Sequence, residues 1–170
     1  MTQVRRTLLL SGIALALIGA SAAVRTDPVL LWNPSLSVPV GFYIVTPIDT
    51  LEVGALVAVR PPGALETWLV DNRYVGRDTP LLKRIAALPG AEVCREGSAI
   101  QIDGEAVAEA RERDRLDRPL PVWTGCRVLA DGEIFFLNAR EPASLDGRYF
   151  GPLDDEVIIG RATPLWTREG

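Results

Sequence analysis

Residues 81–90 read LLKRIAALPG. Eight residues free of helix breakers, closed by Pro89-Gly90, describe a short strand running into a turn. The same form recurs on both sides. Upstream, Gly41–Val45 (GFYIV) and Ala55–Val59 (ALVAV) are short and rich in aromatic and β-branched residues, and Pro61-Pro62-Gly63 breaks the chain after the second. Downstream follow Glu92–Arg95 and Ala99–Ile102, then Asp103-Gly104 as a turn signal, then Glu133–Leu137 (EIFFL) and Val157–Ala162 (VIIGRA). Arg25–Pro34 reads as a polar, proline-marked lead-in, and Glu66–Val75 as a short helix. The charged run Glu105–Arg118 reads as a solvated insertion or short helix. Short strands at close spacing, separated by Gly and Pro, predict a mainly β domain of antiparallel sheet.

The central residue of the opening stretch, Lys83, is chemically unusual for this chain. Of 18 basic residues it is the one lysine; the rest are arginine. Arginine keeps its proton in proteins, whereas a desolvated lysine can lose it. On a strand, Lys83 shares a face with Leu81, Ile85 and Ala87, and apolar neighbours disfavour the ammonium. Bringing a lysine from about 10.4 to near 7 takes roughly 4–5 kcal/mol, which burial can supply.

What the sequence lacks narrows the chemistry further. The chain has 170 residues and no histidine, which excludes triads that use imidazole as base. Without histidine, two cysteines do not complete a tetrahedral zinc site, so neither metal nor cofactor is expected. A net charge of -4 argues against nucleic acid as partner. Any base must be a carboxylate, a tyrosine or Lys83.

Thr7–Val24 (TLLLSGIALALIGASAAV) carries no charge. As helix it would rise about 27 Å, close to a hydrocarbon core of roughly 30 Å. Arg5 and Arg6 precede it, which puts the amino terminus in the cytoplasm and everything after Val24 outside. Residues 1–24 are therefore expected to be a cytoplasmic tip and single-pass anchor in the inner membrane, and 25–170 a periplasmic domain. Ala20-Ser21-Ala22 resembles a cleavage site, so a signal peptide is the competing reading; both export the domain. In an oxidising compartment the two cysteines, Cys94 and Cys126, are expected to pair.

Six serines are present. Ser11 and Ser21 belong to the apolar segment, and Ser98 follows Gly97 in a turn, leaving Ser35, Ser37 and Ser144. Ser35 and Ser37 lie two apart in NPSLSVPVGFY. An extended segment would turn both side chains to one side, one hydroxyl to attack and one to bind an oxyanion. Judged alone, such a segment is better read as a loop whose serines satisfy backbone groups.

NPSLSVPVGFY, GALVAVRPP, LLKRIAALPG and ASLDGRYFGP, in that order, resemble the boxes of the type I signal peptidase superfamily. The resemblance runs from about Pro28 to Trp166. It is closest to the conjugative-transfer, TraF-type branch, whose pattern of Asn followed by Ser-x-Pro-x-Gly-x-Tyr matches Asn33 and Ser37, Pro39, Gly41 and Tyr43. It implies a signal-peptidase-like β domain behind a transmembrane helix. It also implies a serine–lysine dyad, with Ser37 as nucleophile and Lys83 as base. Ser35 falls on the oxyanion-hole position beside the Ser37 amide, Ser144 on the serine that orients the lysine, and Asp146 and Arg148 on a supporting ion pair. The implied substrate is an exported precursor such as a conjugative pilin, released by water or by its own amino terminus as a cyclic product. The implied partners are the membrane and a transfer apparatus. A general signal peptidase and a non-enzymatic scaffold of a secretion machine are the alternatives. Three positions depart from the general pattern: Val38 stands where methionine is usual, Leu137 where an aspartate precedes Asn138, and Gly147 where a second serine precedes the arginine.

Overall fold

The computed structural model describes residues 3–23 and 29–168, with backbone alone over 17–23. Helix α1 is Gln3–Ala23, and its described apolar side chains, among them Leu8, Leu10 and Leu15, stand exposed. The expected anchor Thr7–Val24 starts inside α1, and its later side chains, with Ala20-Ser21-Ala22, lie outside the described residues. Among the described residues no helix is long and apolar enough to cross a membrane.

The rest of the chain forms two antiparallel sheets. The first draws on β1 (Leu30–Asn33), β2 (Val40–Thr46), β3 (Leu56–Val59) and β4 (Leu81–Ala87), with α2 (Gly63–Asp71) between β3 and β4. A smaller excursion follows: β5 (Glu92–Glu96), β6 (Ala99–Ile102), β7 (Glu105–Glu109) and β8 (Gly125–Val128). The chain then returns through β9 (Glu133–Phe136), the single turn α3 (Gly147–Phe150), β10 (Leu153–Asp154) and the long β11 (Ile158–Arg168). The strand orders are β1-β2-β11-β3-β4-β9-β10 and β7-β6-β5-β8. The expected mainly β, antiparallel architecture is what the chain adopts.

Burial explains why these segments form these strands. All four residues of β3 are buried, as expected for a central strand whose sequence is a continuous apolar run. β2 alternates, with Gly41, Tyr43 and Val45 inward and Phe42 outward. Gly41 must be glycine, because a Cβ there would lie 2.1 Å from the Trp166 carbonyl oxygen of β11.

Four sequence expectations need correction. The lead-in is in part a strand, because Leu31 and Trp32 pair with Tyr43 and Phe42 of β2. The charged run is not one insertion or helix: Glu105–Glu109 is β7, folded back on β6 by Asp103 and Gly104, whose φ values of 50° and 81° suit a tight hairpin turn. The rest of that run, 110–118, is loop, closed by one bridge between Arg113 and Pro119. β8 was not expected, since GCRV is exposed along its length and shows no alternation. α2 starts three residues before the predicted helix and stops at Asp71.

Cys94 of β5 and Cys126 of β8 sit directly opposite one another and form the expected disulfide. Arg95, buried beside it, donates to the carbonyl oxygens of Arg148 (2.5 Å) and Pro121 (3.3 Å), tying the small sheet to α3. Replacing both cysteines by alanine should lower the unfolding free energy by about 3–4 kcal/mol, because the bridge closes a 32-residue span. Urea unfolding of the two proteins under non-reducing conditions measures the difference, and added reductant should bring the parent to the level of the variant.

Candidate active site

Asn33 and Gly41 are paired across β1 and β2, so PSLSVPV between them is a closed hairpin loop. Its interior is held by one side-chain amide. Asn33 Nδ2 donates to the carbonyl oxygens of Ser35 (2.8 Å), Val38 (3.1 Å) and Pro39 (3.2 Å). Its Oδ1 accepts from the Ser35 N–H at 3.1 Å and from Ser35 Oγ at 2.7 Å. The Tyr43 hydroxyl donates to the Pro39 carbonyl oxygen at 2.6 Å. Each residue of the Asn…Pro-x-Gly-x-Tyr pattern thus shapes the loop that presents the serines.

That loop is a turn, not the extended segment expected from sequence, yet it brings the two hydroxyls together: Ser35 Oγ and Ser37 Oγ are 2.8 Å apart. Proton bookkeeping gives the direction of that bond. Asn33 Oδ1 only accepts, so the single Ser35 proton is committed to it, and Ser37 must donate to Ser35. The Ser37 N–H has no acceptor among the described residues.

Lys83 lies mid-strand in β4 and is 6% exposed, with Ile85 and Ala87 buried on the same face. Its Nζ donates to Ser144 Oγ at 3.1 Å. Burial pushes its pKa down to about 8; Asp146 opposes this and Arg148 adds to it. About one-tenth of the lysine is then neutral at pH 7, against well under one-thousandth at the ordinary value. No hydrogen bond joins Lys83 to Ser37 among the described residues. Both line one groove of about 630 Å³, with Ser35 and Ser144 also on its wall. Catalytic hydrogen bonds commonly tighten only when substrate is bound.

Sequence reasoning missed the residue that seats Lys83. Asn138 is buried, donates to the Leu82 carbonyl oxygen (3.2 Å) and accepts from the Arg84 N–H (3.0 Å), gripping β4 on either side of the lysine. The available signal was a polar residue ending the apolar strand EIFFL. The Asp146–Arg148 pair also differs from an exposed turn salt bridge. Its side chains are 0% and 1% exposed and meet through a fork, Nε to Oδ1 and Nη2 to Oδ2, both at 2.9 Å. Arg148 Nη2 also donates to the carbonyl oxygens of Asn138 (3.0 Å) and Glu141 (2.7 Å), while Asp146 Oδ2 accepts the Asn138 N–H.

The family model described as "Signal peptidase, peptidase S26" matches residues 3–166. The chain belongs to this family of serine peptidases. Among curated proteins it is similar to "Conjugal transfer protein TraF" of Agrobacterium fabrum (strain C58 / ATCC 33970), 32% identical over 145 residues, 79% of this chain and 81% of that one. "Probable conjugal transfer protein TraF" of Sinorhizobium fredii (strain NBRC 101917 / NGR234) is 30% identical, with 79% and 76% covered. "Plasmid transfer protein TraF" of Escherichia coli is 28% identical, with 79% and 81% covered. Among solved structures, a signal peptidase I from Enterococcus faecalis V583 matches 68% of this chain and 99% of its own, at 20% identity and a TM-score of 0.41.

The structure explains the departures from the general S26 pattern. A Cβ on Gly147 would lie 2.6 Å from the Phe135 ring, so the ring occupies the space a second serine would need. Leu137, 3% exposed, packs in the apolar cluster of Val93, Ile100 and Phe135. Val38 belongs to a second core cluster, with Tyr43 and Leu82.

The lowered Lys83 pKa has a consequence for stability. Below about 8 the ammonium is charged in both states but desolvated only in the folded one, so the folded protein carries the full penalty; as pH rises from about 8 to 10.5 that penalty disappears. The gap corresponds to about 3 kcal/mol. Lys83→Met, apolar and of similar shape, should therefore be more stable than the parent by about 2–3 kcal/mol at pH 7. Denaturant midpoints across pH should show the difference closing toward pH 10.5.

Proposed function

We propose that the chain is a membrane-anchored serine endopeptidase that processes an exported precursor, a conjugative pilin subunit, through an acyl-enzyme on Ser37. The observation that carries this reading is the one lysine, buried and with its pKa lowered to about 8, on the wall of the same groove as the Ser35–Ser37 pair. The transfer context comes from relatives named as conjugal or plasmid transfer proteins. The exposed apolar side chains of α1 and the arginines before them support a single-pass anchor, amino terminus inside, with 25–170 in the periplasm.

In this mechanism neutral Lys83 takes the Ser37 proton, and Ser37 Oγ attacks the scissile carbonyl carbon. The oxyanion is held by the Ser37 N–H and by the Ser35 hydroxyl, which rotates away from Asn33 Oδ1 to donate. Asn33 thus keeps that donor ordered until negative charge forms. The Lys83 ammonium returns its proton to the leaving amine as the C–N bond breaks. The neutral amine then deprotonates the nucleophile that opens the ester, either water or the substrate's own amino terminus. Ser144 fixes the amine throughout, and Asp146 with Arg148 keeps the Ser144 loop in place.

Intact-mass analysis of the candidate pilin from cells with the parent enzyme or with Ser37→Ala tests the proposal. A pilin trimmed only by the parent is the expected result, and one water fewer than the trimmed chain would identify cyclisation. Equal masses in both strains would favour a scaffold instead. With a peptide spanning the cut, kcat/KM should rise about tenfold per pH unit below 8 and level off above it. A flat profile between pH 6 and 9 would remove Lys83 as the base.

A further inference from the structure

A second cavity, about 260 Å³, adjoins the groove and shares Tyr74, Arg111 and Arg115 with its wall. Five arginines line it: Arg73, Arg111, Arg113, Arg115 and Arg118. Two are already engaged. Arg118 pairs with Asp114 and donates to the Asn72 carbonyl oxygen, and Arg113 faces Asp117 at 3.7 Å. The other three meet no carboxylate among the described residues. The one carboxylate lining this cavity, Asp114, is saturated by the Tyr74 hydroxyl (2.6 Å), the Arg118 side chain and the N–H groups of Leu116 and Arg118. Glu141, on the groove, accepts the Ala143 N–H.

Exposed arginines ordinarily need no partner, but these are presented by a fixed platform. The Arg118 guanidinium stacks over the Tyr74 ring at 4.5 Å while both hold Asp114, which pins the Arg111–Pro119 loop to the end of α2. Arg111, Arg113 and Arg115 all belong to this loop and line the one cavity. Guanidinium groups recognise planar anions through paired N–H donors, and on an exported peptide the available planar anion is a carboxylate.

We propose that Arg111 and Arg115 form a subsite for a carboxylate of the bound peptide, at the arginine-lined end of the groove. The inference rests on the groove being a peptide site and adds a specificity to it. The carboxylate comes from an Asp or Glu side chain or from a free carboxyl terminus, and Arg73 and Arg113 add to the positive field there.

Alanine-rich decapeptides carrying an uncharged BODIPY label provide the test, with binding to the full chain carrying Ser37→Ala read in detergent by anisotropy. One peptide has a free carboxyl terminus, one is amidated, and an amidated set carries a single glutamate at each position in turn. The acid or one glutamate peptide should bind about tenfold tighter than the neutral amide. Which of the two does so identifies the source. The added change Arg111→Gln with Arg115→Gln should erase that preference and leave the neutral peptide's affinity unchanged. Equal affinities, no binding, or a preference that survives the double change would overturn the subsite. Because binding is read without turnover, a failed pilin-processing test would leave this result standing, and the reverse also holds.

Discussion

The Arg148 guanidinium, shut away from solvent, is the point from which the site is built. It forks onto Asp146, reaches the carbonyl oxygens of Asn138 and Glu141, and its own carbonyl oxygen receives Arg95 from the small sheet. Asp146 in turn accepts the Asn138 N–H, and Asn138 grips β4 around Lys83. Removing one partner of such a pair strands a buried charge, a loss of about 3–5 kcal/mol. The pair therefore does more for placement than for net electrostatics. Its two charges act on Lys83 in opposite directions, and burial remains the main reason the lysine sits near 8.

The loop that carries Ser35 and Ser37 follows a second, independent logic. One amide, Asn33, gathers three carbonyl oxygens and the Ser35 hydroxyl, so the six residues between β1 and β2 need no secondary structure of their own. Loop and lysine belong to different parts of the large sheet and meet only across the groove. Each is held by its own set of hydrogen bonds, Asn33 for the loop and Asn138 for the strand that carries Lys83.

Much of this was legible in the residues. Lys83 stood out because nothing else in a histidine-free chain could serve as an easily neutralised base, and its apolar face predicted the burial that is found. Strands with strong apolar patterns, β2, β3, β4 and β9, were placed to within a residue or two. The edge strands β1 and β8 were not, because edge pairing relies on backbone hydrogen bonds and on a disulfide, neither of which leaves a pattern of alternation. The charged run failed for a related reason: Ala106 and Ala108 alternate too weakly to signal β7, and Asp103-Gly104 carries the information instead.

By itself, the sequence determined the chemistry on offer: a single lysine, no imidazole, a Ser-x-Ser beside proline, and two cysteines free to pair. Those are properties of composition and local order, and they hold in any conformation. Only the tertiary structure decided which serine meets Lys83, that Asp146 and Arg148 are buried together, and that Asn138 seats the strand. It also decided that a nominally solvated charged run turns its arginines toward the groove. The physical reason is that burial and hydrogen-bond direction are set by partners 50 or more residues away, such as Ser144 for Lys83, and no local pattern encodes them.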